Sequence, residues 1–211
     1  MARYDTEHKA QTRRRIVETA GRRLKRDGID GSGVAALMTD AGLTNGAFYA
    51  HFDSKDDLVA HVVADQLATQ RAVLAALPEG RAALEQFVRE YLSPEHRDDP
   101  GTGCPNAALL DEIGRCDDAV RDSYSQGMQS IIDVIATHLA PQDPSAARTT
   151  ALGLFTTLVA TMQIARAVSD RDMSDGFLRS GILNAQLLLD RGRPSPTSPD
   201  EATTSRQGKT T

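Results

Sequence analysis

The sequence predicts an all-α fold. Apolar residues recur at helical spacing from near the start to about residue 191, and no strand-like alternation of any length interrupts them. Glycine or proline stands at most of the places where one periodic run gives way to the next. The chain has 211 residues, 40 % hydrophobic and 25 % charged, an ordinary globular balance. That is enough for a sizeable core without metal or disulfide staples.

About nine helices follow in order. The first runs from about Glu7 to Lys25, with Ala10, Ile16, Val17, Ala20 and Leu24 on its apolar side, and Gly28 stops it. A short second helix covers Val34 to Ala41 and is broken by Gly42. Thr44 reads as the cap of a third helix that ends near Phe52. In "DSKDDL", Asp53 or Ser54 caps a fourth helix, whose positive end suits Asp56 and Asp57. This helix continues to about Leu77, before "PEG", and a fifth spans Arg81 to Leu92.

"SPEHRDDPGTG" reads as a polar loop. A sixth helix starts at "CPNAALLDEIG", with Pro105 suited to a first helical position. The seventh is "AVRDSYSQGMQSIIDVIATHL", closed by Pro141; the eighth is Ser145 to Ser169 and the ninth Ser174 to Arg191. The tail, residues 192–211, is polar and proline-containing, with no core-forming residues, and is expected to be disordered.

Net charge is -5, but it is unevenly spread. Residues 1–55 hold ten Lys and Arg against seven Asp and Glu, whereas the remainder holds fourteen against twenty-two. A basic front and an acidic rear suggest two parts with different partners. No secretory signal is visible at the start, and the most apolar run, Ala151 to Ala165, is short for a bilayer span of ~20 residues. With two cysteines, a cytoplasmic protein with reduced thiols and no membrane partner is the expectation.

An enzyme finds little support: HExxH, a glycine-rich phosphate loop and a nucleophile elbow are all missing. The carboxylate pairs Asp56–Asp57 and Asp117–Asp118 each suit a helix start. His8, His51, His61, His96 and His138 show no metal-ligand spacing, so neither a metal nor a cofactor is expected.

The stretch Leu43 to Lys55, "LTNGAFYAHFDSK", carries the most chemistry. Two short helices separated by "AGLT" fit a helix-turn-helix. At ~100° per residue, Phe48 and Phe52 share a face and can pack on Val34, Leu37 and Leu43, while Asn45, Tyr49 and His51 project elsewhere. Gly46 removes a side chain where another surface could approach closely. Such a polar, partly aromatic face near a helix start suits a DNA duplex. A small helical corner, with Tyr49 and His51 merely covering the core, is the other reading of these residues.

The block from Thr12 to Leu58, "TRRRIVETAGRRLKRDGIDGSGVAALMTDAGLTNGAFYAHFDSKDDL", resembles the N-terminal domain of the TetR (tetracycline-repressor) family of bacterial transcriptional regulators. "GAFYAHFDSKDDL" is its most specific part. The resemblance implies a three-helix DNA-binding domain over residues 1–55, followed by a larger helical ligand-binding and dimerisation domain over 56–191. It places Thr44, Asn45 and Gly46 at the start of the recognition helix, Tyr49 and Lys55 on phosphates, His51 near the backbone or a base edge, and Ser32 beside the DNA backbone. Two positions depart from the family pattern. Gly33 stands where Ser or Thr is usual, so Ser32 must cap or make that contact instead. Met38 stands where a small residue is usual at the helix crossing. The cluster Arg13, Arg14, Arg15, Arg22, Arg23, Lys25 and Arg26 offers candidates for phosphate contacts.

One recognition helix covers too few base pairs for specificity, so a homodimer on a palindromic double-stranded operator is expected. Leu152, Phe155, Leu158, Val159 and Met162 of the eighth helix, with Ile182, Leu183, Leu187 and Leu188 of the ninth, are candidates for a four-helix interface or for the monomer's own core. A small-molecule effector would need a cavity, for which Phe87, Tyr91, Tyr124, Met128, Phe155 and Met162 are candidates, though such a stripe also suits plain core packing. Cys104, at a predicted helix start, is a second possible input, a redox or electrophile sensor; the alternative is a small apolar cap residue. A DNA-binding protein indifferent to any ligand is the remaining alternative.

Overall fold

The computed structural model describes residues 2–191; the tail expected to be disordered, residues 192–211, lies outside the described residues. The described chain is helical, without strands. α1 (Ala2–Asp27) starts earlier than expected and buries Ile16, Val17, Ala20 and Leu24 along one side. Gly28, at φ 82°, turns the chain out of α1, and its N–H still bonds to the Leu24 carbonyl (2.8 Å). α2 (Val34–Asp40) follows, tied to α1 by an ion pair between Arg23 and Asp40 (2.7 Å).

Asn45–Ala50 forms a 3-10 helix rather than the α-helix expected to run to Phe52, with Ala47 N–H on the Thr44 carbonyl (3.0 Å) and His51 N–H on that of Phe48 (2.9 Å). Thr44 occupies the cap position but makes no side-chain cap bond. Asn45 and Gly46 are poor starters of an α-helix, and so short a segment closes more easily with the tighter three-residue turn.

α3 (Lys55–Ala75) starts from a reciprocal cap: Ser54 Oγ accepts from Asp57 N–H (3.0 Å), and the Asp57 carboxylate accepts from Asp53 N–H (3.1 Å). α4 (Arg81–Tyr91) is followed by α5 (Pro94–Asp98), a short helix within the stretch read as a loop. Ser93 caps it through His96 N–H (3.2 Å) and Pro94 begins it, two helix-start signals overlooked among the surrounding charges. α6 (Pro105–Ile113), α7 (Asp118–Leu139) and α8 (Pro144–Ala167) agree with expectation, while α9 (Arg171–Arg191) begins a turn before Ser174, with Asp170 accepting from Met173 N–H (2.8 Å).

α3 lies along α7, and α8 is held between α7 and α9. α6 crosses the middle, touching α1, α3, α7 and α8, so it bridges the N-terminal helices and the rear bundle. Met38, the bulky residue at the crossing of the short helices, is fully buried with Leu37 and Phe48. Among the described residues, no helix is long and apolar enough to cross a membrane, and no group of His, Cys, Asp or Glu is gathered to hold a metal.

Candidate nucleic-acid interface and a buried thiol centre

The 3-10 helix separates its residues sharply. Phe48 is 1 % exposed and stacks within 5.8 Å of Phe52, which is also buried. Tyr49, next in sequence, is 74 % exposed, its ring edge-on to Phe48 at 5.2 Å. Thr44, Asn45, Gly46 and Tyr49 are all exposed, and nothing lies within 4 Å of the place a Cβ would take on Gly46. These four expected site residues form an open polar ridge.

The other three are tied into the fold. His51 is half-buried, with its Nδ1 enclosed and without a hydrogen-bond partner; burial, with the charges of Lys9 and Arg13, pulls its pKa down. The backbone carbonyl of His51 accepts from Arg13 Nε (3.4 Å), and the Arg13 guanidinium lies over the Phe52 ring at 4.6 Å. The Lys55 ammonium donates to the Ile29 carbonyl (2.6 Å), locking the start of α3 to the turn after α1. Ser32, expected to cap α2 or meet the DNA backbone, is instead buried, its hydroxyl donating to the Gly28 carbonyl (2.7 Å); α2 starts at Gly33 with no side-chain cap. The turn after α1 closes with the Ser32 N–H on the Ile29 carbonyl (3.3 Å), and this carries the Ser32 hydroxyl inward to Gly28. Of the basic cluster, Arg14, Arg15 and Arg22 are exposed, Arg23 and Arg26 are paired with Asp27, and Lys25 is buried.

Lys25 leads to a second centre. Its ammonium donates to the Gly103 carbonyl (2.9 Å), immediately before Cys104 at the N-cap of α6. Cys104 is buried; its Sγ accepts from Gln70 Nε2 (3.1 Å) and Asn106 Nδ2 (3.3 Å), and its thiol donates to Gln70 Oε1 (3.3 Å). Its N–H donates to His96 Nε2 (2.9 Å), while His96 Nδ1 lies 2.6 Å from the Tyr91 carbonyl. The two contacts assign the proton to Nδ1 and make the imidazole neutral, and burial holds the His96 pKa below its ordinary value. Arg166 from α8 donates to the carbonyls of His96 (2.7 Å) and Arg97 (3.2 Å). On its other side α5 is anchored to α9, where buried Arg97 binds Asp175 (2.5 Å) and Ser174 (2.9 Å).

Three polar atoms in this centre are buried without a hydrogen-bond partner: Tyr91 Oη, Asn106 Oδ1 and Arg166 Nη1. The Tyr91 hydroxyl lies beside the Cys104 sulfur without forming a hydrogen bond of normal geometry, and burial raises its pKa well above the ordinary value. Burial likewise pushes Tyr124 up to about 12, with Cys104 also nearby. Lys25 shifts the other way, downward, since burial disfavours its charge.

The six residues expected around an effector cavity are distributed differently. Tyr91, Phe155 and Met162 are buried in the core, with Phe87, Tyr124 and Met128 packed at its edge. Three concavities lie elsewhere, along α1 and at the end of α3 and α7 near Pro141, and none of the three is lined by these six. Tyr91 and Tyr124 instead approach Cys104. Both cysteines are free thiols; Cys116 donates to the Glu112 carbonyl (3.4 Å). The expected interface residues divide: Phe155 and Val159 are in the protomer's own core, Ile182 is half-buried, and Leu152, Leu183 and Leu187 are exposed. Sequence reasoning missed Gln70, His96, Asn106 and Arg166; the one hint was a polar Asn106 in the otherwise apolar "PNAALL".

Residues 16–62 match the family model described as bacterial regulatory proteins, tetR family. No curated protein matches the chain in sequence. Among solved structures, the reduced form of NemR from E. coli aligns with a TM-score of 0.71 at 18 % identity, covering 84 % of this chain and 96 % of that one. A TetR-family transcriptional regulator from Agrobacterium tumefaciens aligns at 0.68 with 21 % identity, covering 87 % and 98 %. FadR from Bacillus subtilis, in complex with stearoyl-CoA, aligns at 0.62 with 14 % identity, covering 83 % and 96 %. These likenesses extend the shared fold over the rear helices. Residues 16–62 therefore match the helix-turn-helix segment of TetR-family regulators, and the helices behind it share the all-helical fold of these solved structures.

Proposed function

We propose that the protein is a repressor that binds a palindromic operator as a homodimer and is released by a small-molecule effector. The observation that carries this reading is the open ridge of Thr44, Asn45, Gly46 and Tyr49, braced from beneath by buried Phe48. An exposed aromatic hydroxyl beside a bare glycine is suited to a phosphate in close approach. In this reading, residues 1–55 are the DNA-binding domain and residues 56–191 the ligand-binding and dimerisation domain, with α3 packing on both α1 and α7. Exposed Leu152 on α8 and Leu183 and Leu187 on α9 supply the apolar contact for a second copy. Occupancy of a promoter is sufficient for repression. The B. subtilis regulator of the same fold is in complex with stearoyl-CoA, which supports a ligand-binding use of the rear helices.

The test is a band-shift titration with duplex DNA from upstream of the protein's own gene. Tyr49→Phe is expected to weaken binding by about 1 kcal/mol, several-fold in Kd, with an unchanged melting temperature. Equal affinity for the two proteins would remove Tyr49 from the interface, and a protein that sediments as a monomer and ignores every upstream duplex would overturn the reading.

A second reading has its own support. Cys104 has donors aimed at its sulfur and orphaned polar atoms beside it, an environment for a thiol input rather than an inert apolar cap. The solved E. coli relative is described as a reduced form. In this reading, chemical change at Cys104 takes the place of a reversibly bound effector.

A further inference from the structure

We propose that Cys104 is a covalent modification site for small, uncharged conjugated carbonyl compounds, and that an adduct there acts on the DNA-binding half by displacing the Gly103 carbonyl from Lys25. This rests on the thiol reading above, and supplies its reagent class and its route.

The centre is built for a guest with one soft carbon and one polar oxygen. Amide N–H groups of Gln70 and Asn106 point at the sulfur, and Gln70 Oε1 lies 3.3 Å from it as the acceptor for the thiol proton. Tyr91 is 7 % exposed and Asn106 not at all, yet the Tyr91 hydroxyl and Asn106 Oδ1 lack partners. Groups left without partners in the interior destabilise the fold, and a guest that pairs one of them relieves part of that cost. A carbonyl oxygen entering beside the sulfur can accept from the Tyr91 hydroxyl. Lys25 and Arg166 flank the site and repel a cationic reagent, while burial restricts size and disfavours a charge of either sign.

The step balances without an oxidant or leaving group. Sulfur bonds to the β-carbon of the reagent, and the carbon–carbon π pair moves toward the carbonyl to give an enolate. The proton lost by the thiol ends on the α-carbon.

The route follows from what holds the peptide between Gly103 and Cys104. Its Cys104 end donates to His96, and its Gly103 carbonyl accepts from Lys25 in the last turn of α1. A Cβ on Gly103 would stand 2.5 Å from His96 Nε2 and 3.1 Å from Arg166 Nη2, so the peptide has no room to retreat toward α5 or α8. New bulk on the sulfur must therefore be accommodated by moving this peptide relative to α1. At the other end of α6, Glu112 accepts from Ile29 N–H (2.8 Å) and Asp30 N–H (3.3 Å), so a displaced α6 also pulls on the turn that leads into α2.

The experiment treats the full chain with but-3-en-2-one and reads three signals: the adduct by peptide mass mapping, amide hydrogen exchange along α1, and affinity for the upstream duplex. The expected result is one adduct at Cys104 ahead of Cys116, faster exchange in the last turn of α1, and DNA affinity lowered about tenfold, within the usual range of coupling between sites. Cys104→Ser takes no such adduct and keeps its own affinity. Lys25→Met is still alkylated at Cys104 but loses most of the affinity change relative to its own untreated form. Alkylation no faster at Cys104 than at Cys116 would overturn the site. An adduct that leaves α1 exchange unchanged, or acts undiminished in Lys25→Met, would overturn the route. If the untreated protein binds no duplex while the adduct still loosens α1, the regulatory reading fails and the site and route stand.

Discussion

At the 3-10 corner, apolar groups point inward and polar groups outward: Phe48 is sealed and Tyr49, Asn45 and Thr44 face solvent. Around Cys104 the order is reversed, with thiol, amides, phenol and guanidinium drawn inside and left incompletely paired. The difference teaches what each place is suited to meet. Exposed polar groups already satisfied by water can exchange it for a large partner without disturbing the fold. Buried polar groups can gain only from something that enters, and until then they reduce stability. Changes at the ridge should therefore affect binding alone, whereas changes at the thiol centre should affect binding and stability together.

That contrast can be broken, or sharpened, at three further positions. The largest effect is expected at Phe48, the support beneath the ridge. Phe48→Ala should cost about 3–5 kcal/mol in chemical denaturation and abolish DNA binding through loss of the corner, unlike Tyr49→Phe, which leaves stability in place. A stable Phe48→Ala protein would show that the corner does not depend on this packing.

Glu112→Ala comes next. It strips acceptors from the Ile29 and Asp30 N–H groups, and should cost about 1–3 kcal/mol. It should also raise hydrogen exchange in residues 28–33 before any other region. Uniform exchange across the chain would separate α6 from the N-terminal helices as far as coupling is concerned.

The smallest effect is a pH dependence. The folded-state pKa of His96 lies below its ordinary value of 6.5, chiefly through burial, so folding favours the neutral ring. Its contribution is fully present above pH 6.5, and is lost as pH falls through that value toward the lower folded one. Charged Arg166 and Lys25 face the ring and oppose its protonation, and Asp99 favours it. Denaturant midpoints measured from pH 7.5 to 5 should fall less steeply for His96→Gln than for wild type; parallel slopes would mean that His96 titrates as freely folded as unfolded.

The ridge was legible from residue types because its logic is local. Phe48 and Phe52 lie four residues apart with Tyr49 between, and helical spacing puts the two phenylalanines on one face and Tyr49 on another. The bonds made by Ser32 and Lys55 were not legible, because their partners, the carbonyls of Gly28 and Ile29, depend on how the turn after α1 closes. Leu183 and Leu187 could be named as apolar, but only the packing of α8 on α9 left them outside while enclosing Phe155 and Val159.

By itself, the sequence determined most of the helices, the cap at Ser54, the stop at Gly28, the inward aromatics of the corner and the family they resemble, since these follow from spacing and backbone chemistry within a few residues. Only the tertiary structure decided that Lys25, Gln70, His96, Asn106 and Arg166 converge on Cys104. They come from five separate segments, α1, α3, α5, α6 and α8. No periodicity along the chain records which buried polar groups will meet, because that is settled by how whole helices pack rather than by any one of them.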